Sequence, residues 1–177
     1  MMTRAASPQD RRHLLAITRA AFPEEDLRAV VESLLGRDDV TCLVAGPPGE
    51  PVAYVFFTDC EIEPEAGGAR PRDERRAALL GPLAVAPHHQ RQGIGAQLVR
   101  EGLRRLSAAG KPAVLVLGDP AYYGRFGFAP TTVRPPHDLP EGWQTAWQAL
   151  AFEGRAVPEG VLRVPEPWQD AALWREG

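Results

Sequence analysis

The sequence predicts a single α/β domain built on a mixed sheet, with its elements in the order β-α-α-β-β-β-α-β-α-β-β. Amphipathic helical stripes alternate with short apolar runs, which is the pattern of helices packed on a sheet. The strand Leu83-Ala84-Val85 passes through a proline-broken turn and a glycine loop straight into a helix. Ala113 to Leu117 is an unbroken apolar run, as expected of a strand covered on both faces. With 177 residues, 44% of them hydrophobic, the chain can bury roughly 70% of its unfolded surface. Residues 1–177 are therefore read as one domain, with a core over about 2–152 and a C-terminal extension over about 153–177.

Each element has a local reason. Met2 to Ala6 opens as a short strand, and Ser7-Pro8 marks a helix start, a hydroxyl cap followed by proline at the first helical position. Leu14, Ile17 and Ala21 give that helix its apolar face. After Pro23, Leu27, Val30, Val31, Leu34 and Leu35 recur at helical spacing until Gly36 stops the helix. Thr41–Ala45 and Val52–Thr58 read as a hairpin around Gly46-Pro47-Pro48-Gly49. From Glu61 to Arg76 the chain is charged and glycine-rich without apolar periodicity, and is read as a mobile tip before a strand over Ala77–Ala86. The next helix is expected over Gly93–Ala109, with Ala96, Val99, Leu103 and Leu106 inward and Gly110 and Pro112 ending it. Beyond Phe128 the chain is proline-rich. Trp147 to Phe152 is expected to add a strand at the sheet's far edge, and the tail from Pro158 reads as an irregular wrap.

Composition excludes several classes. A net charge of -3 and a pI near 5.8 give no support for nucleic-acid binding. Two cysteines, Cys42 and Cys60, make neither a disulfide framework nor a four-ligand zinc site, so no metal is expected and both are read as free thiols. The N-terminus lacks an apolar signal core, and no apolar run is long enough to span a bilayer. The expectation is a soluble cytoplasmic protein without membrane partners, monomeric or homodimeric.

The chemistry concentrates in two motifs. The first is Gln90-Arg91-Gln92-Gly93-Ile94-Gly95-Ala96, a Q-x-x-G-x-G at a helix start. Peptide N–H groups there have no intrahelical partner and sit at the positive end of the helix dipole, so they bind an anion once side chains stand aside. Leu98 occupies the third glycine position of a dinucleotide loop, and no Gly-Lys-Ser/Thr follows, which speaks against those nucleotide folds. The second motif is Ala121-Tyr122-Tyr123-Gly124-Arg125-Phe126-Gly127-Phe128.

Together the two motifs resemble the GNAT superfamily of N-acetyltransferases. The first is similar to its acyl-CoA pyrophosphate loop, and Tyr123 stands where many members carry a tyrosine four residues before a Gly-Phe pair. The resemblance implies a GNAT-like fold and acetyl-CoA as acyl donor. Leu83, Ala84 and Val85 would carry the pantetheine arm, and Gln90, Arg91, Gln92, Gly93, Ile94, Gly95 and Ala96 the pyrophosphate. It also implies that the strands near 83–86 and 113–117 splay apart to admit the thioester, with peptide N–H groups holding its carbonyl. An amine then attacks directly, so no enzyme nucleophile is needed.

Tyr123 would give its proton to the departing thiolate, a nearly balanced transfer for a phenol with a pKa of about 10. Packing as aromatic core is the alternative for both Tyr122 and Tyr123. Relatives that carry a glutamate on the strand equivalent to 113–118 are not matched here. Asp119 is the nearest carboxylate and the candidate base, although Asp before Pro also suits a turn or cap. Glu24, Glu25 and Asp26 read as a charged first turn or an acceptor border, and a water chain serves equally well as base. His88 and His89 read as solvated turn residues. Arg91 can face a phosphate through its charge or its backbone N–H. The acceptor is a small-molecule or peptide amine, which Asp59, Glu61, Glu63 and Glu65 would attract if cationic. A non-catalytic acyl-CoA binding or sensing module is the alternative to the enzyme.

Overall fold

A computed structural model describes residues 1–65 and 68–175; Ala66 and Gly67, within the expected tip, and the last two residues of the extension lie outside the described residues. In chain order the elements are β1 (Thr3–Ala5), α1 (Arg11–Ala21), α2 (Arg28–Leu34), β2 (Val40–Ala45), β3 (Ala53–Glu63), α3 (Arg72–Arg75), β4 (Arg76–Val85), α4 (Ile94–Ala108), β5 (Ala113–Leu117), α5 (Pro120–Tyr123), β6 (Ala129–Pro130), β7 (Trp147–Ala151) and β8 (Val161–Arg163). The chain forms two compact units, Met1–Thr58 with Gly81–Arg105 and Asp59–Leu80 with Leu106–Gly177. The long strands β3 and β4 each contribute one half to either unit.

In the first unit the strand order is β1-β2-β3-β4. β1 and β2 pair antiparallel from Thr3↔Ala45 to Ala5↔Leu43, and β2 and β3 from Val40↔Thr58 to Ala45↔Ala53. The expected hairpin turn needs its glycine, because Gly46 has φ +121 and a Cβ there would stand 2.7 Å from the Glu50 carbonyl. Leu14, Val31, Leu34, Leu43, Tyr54, Phe56 and Leu98 are fully buried, so the helical stripes read from the sequence are the core faces. α4 also packs through Gly102, where a Cβ would lie 2.1 Å from Phe57 Cε2.

A buried ion pair ties this unit's N-terminus together. Arg4 donates to both Asp10 oxygens at 2.7 and 2.8 Å, and Ser7 and Gly49 N–H groups add bonds of 2.8 and 3.3 Å. The Arg4 guanidinium holds the Asp10 carboxyl well below the usual carboxylate range. A depressed folded pKa stabilises fully above the unfolded value of about 3.9, and that stability is lost as pH falls below it. Asp10→Ala removes the counter-charge of Arg4 and the acceptor of the Ser7 and Gly49 N–H groups, so it is expected to cost about 3 kcal/mol at pH 7. Urea denaturation checks this, and the gap between parent and variant should narrow below about pH 4.

In the second unit the order is β3-β4-β5-β7-β6, with β8 on β3. β4 and β5 are parallel from Ala77↔Ala113 to Leu80↔Val116, whereas β5 and β7 are antiparallel from Ala113↔Ala151 to Leu117↔Trp147. The sheet is mixed, as expected. The apolar run of β5 is buried between two strand neighbours. Trp147, Trp168 and Trp174 are buried together, ring centroids of neighbours 5.6 and 6.3 Å apart.

Four expectations change here. β3 continues to Glu63, because Cys60 and Ile62 point inward between Asp59, Glu61 and Glu63, a period-two pattern inside the charged run. Residues 72–75 form the single turn α3 rather than irregular chain. β7 is not the outermost strand, since the two-residue β6 pairs along its free side at Ala129↔Ala149 and Pro130↔Gln148. The tail is not wholly irregular, because Val161–Arg163 pairs with β3 at Glu61–Glu63.

Candidate active site

The glycine segment belongs to the first unit. β4 ends at Val85, and the Ala86 N–H donates to Val52 O at 2.8 Å. A tight turn over Pro87–His89 follows, and Gln90 Nε2 reaches back to Val85 O at 3.0 Å. Gln90 thus ties the loop to the strand that feeds it. Gln92 Nε2 lies 3.5 Å from His88 O. Arg91 and Gly93 take left-handed backbone, with φ 63 and 80, and both are exposed.

The first bond of α4 runs from Gln97 N–H to Gly93 O at 3.0 Å. Ile94, Gly95 and Ala96 therefore offer N–H groups with no acceptor inside the helix, at the head of a 15-residue dipole. A Cβ on Gly93 would meet nothing within 4 Å. The position beside this helix start is therefore open. Ile94, Gly95 and Ala96 are buried, His88 is exposed and His89 is half-buried.

The tyrosine segment belongs to the second unit. β5 leads through Gly118 to Asp119, which caps α5: its Oδ1 accepts the Ala121 N–H at 2.9 Å and its carbonyl accepts from Tyr123 N–H at 2.9 Å. The Asp119 carboxylate is exposed, and its cap role matches the turn reading of Asp-Pro. Tyr123 is half-buried, edge-on to Tyr122 and Phe128 at 5.0 and 5.8 Å. Desolvation first, and Tyr122 second, push its phenol above the ordinary value of about 10. Among the described residues its hydroxyl has no hydrogen-bond partner. Tyr122 instead carries the Arg125 guanidinium 4.6 Å over its ring.

The remaining candidates divide. Asp59, Glu61, Glu63 and Glu65 each face a cation, Lys111, Arg72, Arg163 and Arg134, at 3.0, 2.9, 2.6 and 3.8 Å. Their pull on a cationic acceptor is thereby compensated. Asp26 accepts from Arg28 N–H and Nε at 3.2 and 3.3 Å, and with Glu24, Glu25, Arg19 and Phe22 borders a depression of about 310 Å³. Cys42 is half-buried and Cys60 buried, and neither forms a disulfide among the described residues. Burial pushes the Cys42 thiol up, which makes it a poor nucleophile. Gln148, a lone amide in the apolar run Trp147–Ala151, is buried and donates to Gly118 O at 3.1 Å.

Residues 11–128 match the model of the Acetyltransferase (GNAT) family. N-acetyltransferase YhbS of Escherichia coli is 33% identical over 146 residues, covering 81% of this chain and 80% of that protein. N-acetyltransferase YjhQ of Escherichia coli is 30% identical over 136 residues, covering 74% of this chain and 72% of that protein. A GNAT acetyltransferase from Brucella melitensis, crystallised with acetyl-CoA, superposes with TM-score 0.72 at 30% identity over 94% of this chain and 97% of its own. YhbS with CoA superposes with TM-score 0.75 at 27% identity over 96% and 92%. No helix among the described residues is long and apolar enough to cross a membrane. With two-thirds of its length matching the family and curated relatives at 30% identity or above, the chain belongs to the GNAT acetyltransferase family and is an acyltransferase.

Proposed function

We propose that the protein moves an acetyl group from acetyl-CoA to the primary amine of a small molecule or peptide by direct attack. The observation that carries this is the start of α4, where three peptide N–H groups lack an intrahelical acceptor and no atom lies within 4 Å of a Cβ built on Gly93. That geometry fits a pyrophosphate. The acetyl-CoA and CoA complexes of the Brucella melitensis and Escherichia coli proteins support the same ligand. Leu83, Ala84 and Val85 lie past the stretch of β4 that pairs with β5, so the β5 ladder does not consume their backbone groups, which suits them to the pantetheine arm.

Bound acetyl-CoA supplies an activated acyl carbon and a thiolate leaving group. As the amine nitrogen bonds to that carbon and the C–S bond breaks, Tyr123 gives its proton to the sulfur. Its raised phenol stays protonated at neutral pH, and its hydroxyl is free to donate. Asp119 takes the amine's proton through solvent, using Oδ2, while Oδ1 keeps the α5 cap. Asparagine caps a helix about as well as aspartate. Asp119→Asn is therefore expected to keep the parent Tm while kcat falls about tenfold, less than a fully positioned base because water competes. An unchanged kcat assigns the carboxylate to the cap alone.

The test of the whole reading is thiol release from acetyl-CoA across an amine library. Release that depends on an added amine is the expected result. A protein that binds CoA yet releases no thiol with any amine is the binding module instead.

A further inference from the structure

Nothing at the hydroxyl end of Tyr123 holds it, because that oxygen has no hydrogen-bond partner among the described residues. Whatever aims it must act on the ring. The ring lies against Gly118: a Cβ there would stand 2.4 Å from Tyr123 Cε2 and 2.9 Å from Cδ2. Gly118 does not have the left-handed backbone that would by itself call for glycine, so close approach is what requires it.

Gly118 is in turn held at both backbone groups by the strand beside it. Its N–H donates to Ala146 O at 2.9 Å, which extends the β5–β7 ladder one step beyond Leu117. Its carbonyl accepts from the Gln148 side-chain Nε2 at 3.1 Å. Gln148 is 1% exposed, on a strand where its neighbours Trp147 and Ala149 are buried and apolar. An amide at such a position is unfavourable unless its bonds are made, and the bonds it makes go to Gly118 O and, at 3.4 Å, Ala146 O.

We infer that Gly118 and Gln148 are positioning residues for Tyr123: the glycine admits the ring, and the buried amide fixes the glycine against which the ring lies. This rests on Tyr123 being the proton donor, and the test keeps the two apart.

The test is a double-mutant cycle in the full-length protein, with kcat and the KM for acetyl-CoA read separately. Gly118→Ala is expected to lower kcat about fivefold or more, and Gln148→Met about threefold, with KM within about twofold, since misplacing a reacting group costs rate without costing remote binding. In the Tyr123→Phe background both substitutions should lose most of that effect, because there is no hydroxyl left to misplace. Equal effects in both backgrounds, or no effect of either on kcat, overturn the inference while leaving the Tyr123 assignment standing. If Tyr123→Phe itself turns over at the parent rate, the acid assignment fails and the inference falls with it. Should Gly118→Ala not fold, the Gln148→Met arm decides by the same criteria.

Discussion

Tyr123→Phe is expected to lower kcat by about tenfold or more with CoA affinity nearly unchanged, because it removes one proton and keeps the ring. Positioned acid catalysis is typically worth about 100-fold to 10,000-fold, and the lower bound allows for water as a substitute donor. The packing survives: the contacts of Tyr123 with Gly118, Tyr122 and Phe128 are all ring contacts. Tyr122→Phe is the control, since the Arg125 stack uses its ring face and not its hydroxyl. The pH profile gives a second readout. An acid works only while protonated, and burial raises this phenol, so loss of rate through its ionisation belongs above about pH 10. Parent-rate turnover by Tyr123→Phe across pH 7 to 9 would move the acid elsewhere.

Gly93→Val is expected to weaken CoA binding at least tenfold, about 1.4 kcal/mol, by standing a branched side chain where phosphate must approach. The protein has room for that side chain, since nothing lies within 4 Å of a Cβ there. The cost to the fold is the strain of a β-branched residue at φ +80. Gly36 has φ +81 and equally open space, far from any phosphate-binding role, so Gly36→Val reports that strain alone. Calorimetry should show similar losses of Tm for the two variants and a loss of CoA affinity for Gly93→Val only. Gly95→Val is expected to weaken CoA binding in the same way.

Elements whose burial is regular were legible in the sequence. The stripes Leu14/Ile17 and Val30/Val31/Leu34 bury one helix face each, and the unbroken run Ala113–Leu117 is buried on both faces of its strand. β3 was cut short because three acids in its second half mask the alternation of Cys60 and Ile62, and those acids are tolerated there through cations brought from Lys111, Arg72 and Arg163. β6 and β8 are too short to carry a period, and exist through pairing with β7 and β3. At the candidate site the turn into α4 was legible because its backbone geometry is local to a helix start. Gln90 showed as a motif residue, but its bond to Val85 O makes it a brace for the loop. The floor under Tyr123 was not legible, since Gly118 and Gln148 are 30 positions apart and meet only through strand pairing.

Direct acetyl transfer to an amine is tested by mass spectrometry of a reaction containing the protein, acetyl-CoA and an accepted amine. One acetyl group on the amine is expected for each thiol released, with the protein's own mass unchanged at every time point. Acetylated protein that forms and decays at the rate of turnover, or thiol release without acetylated amine, would contradict it.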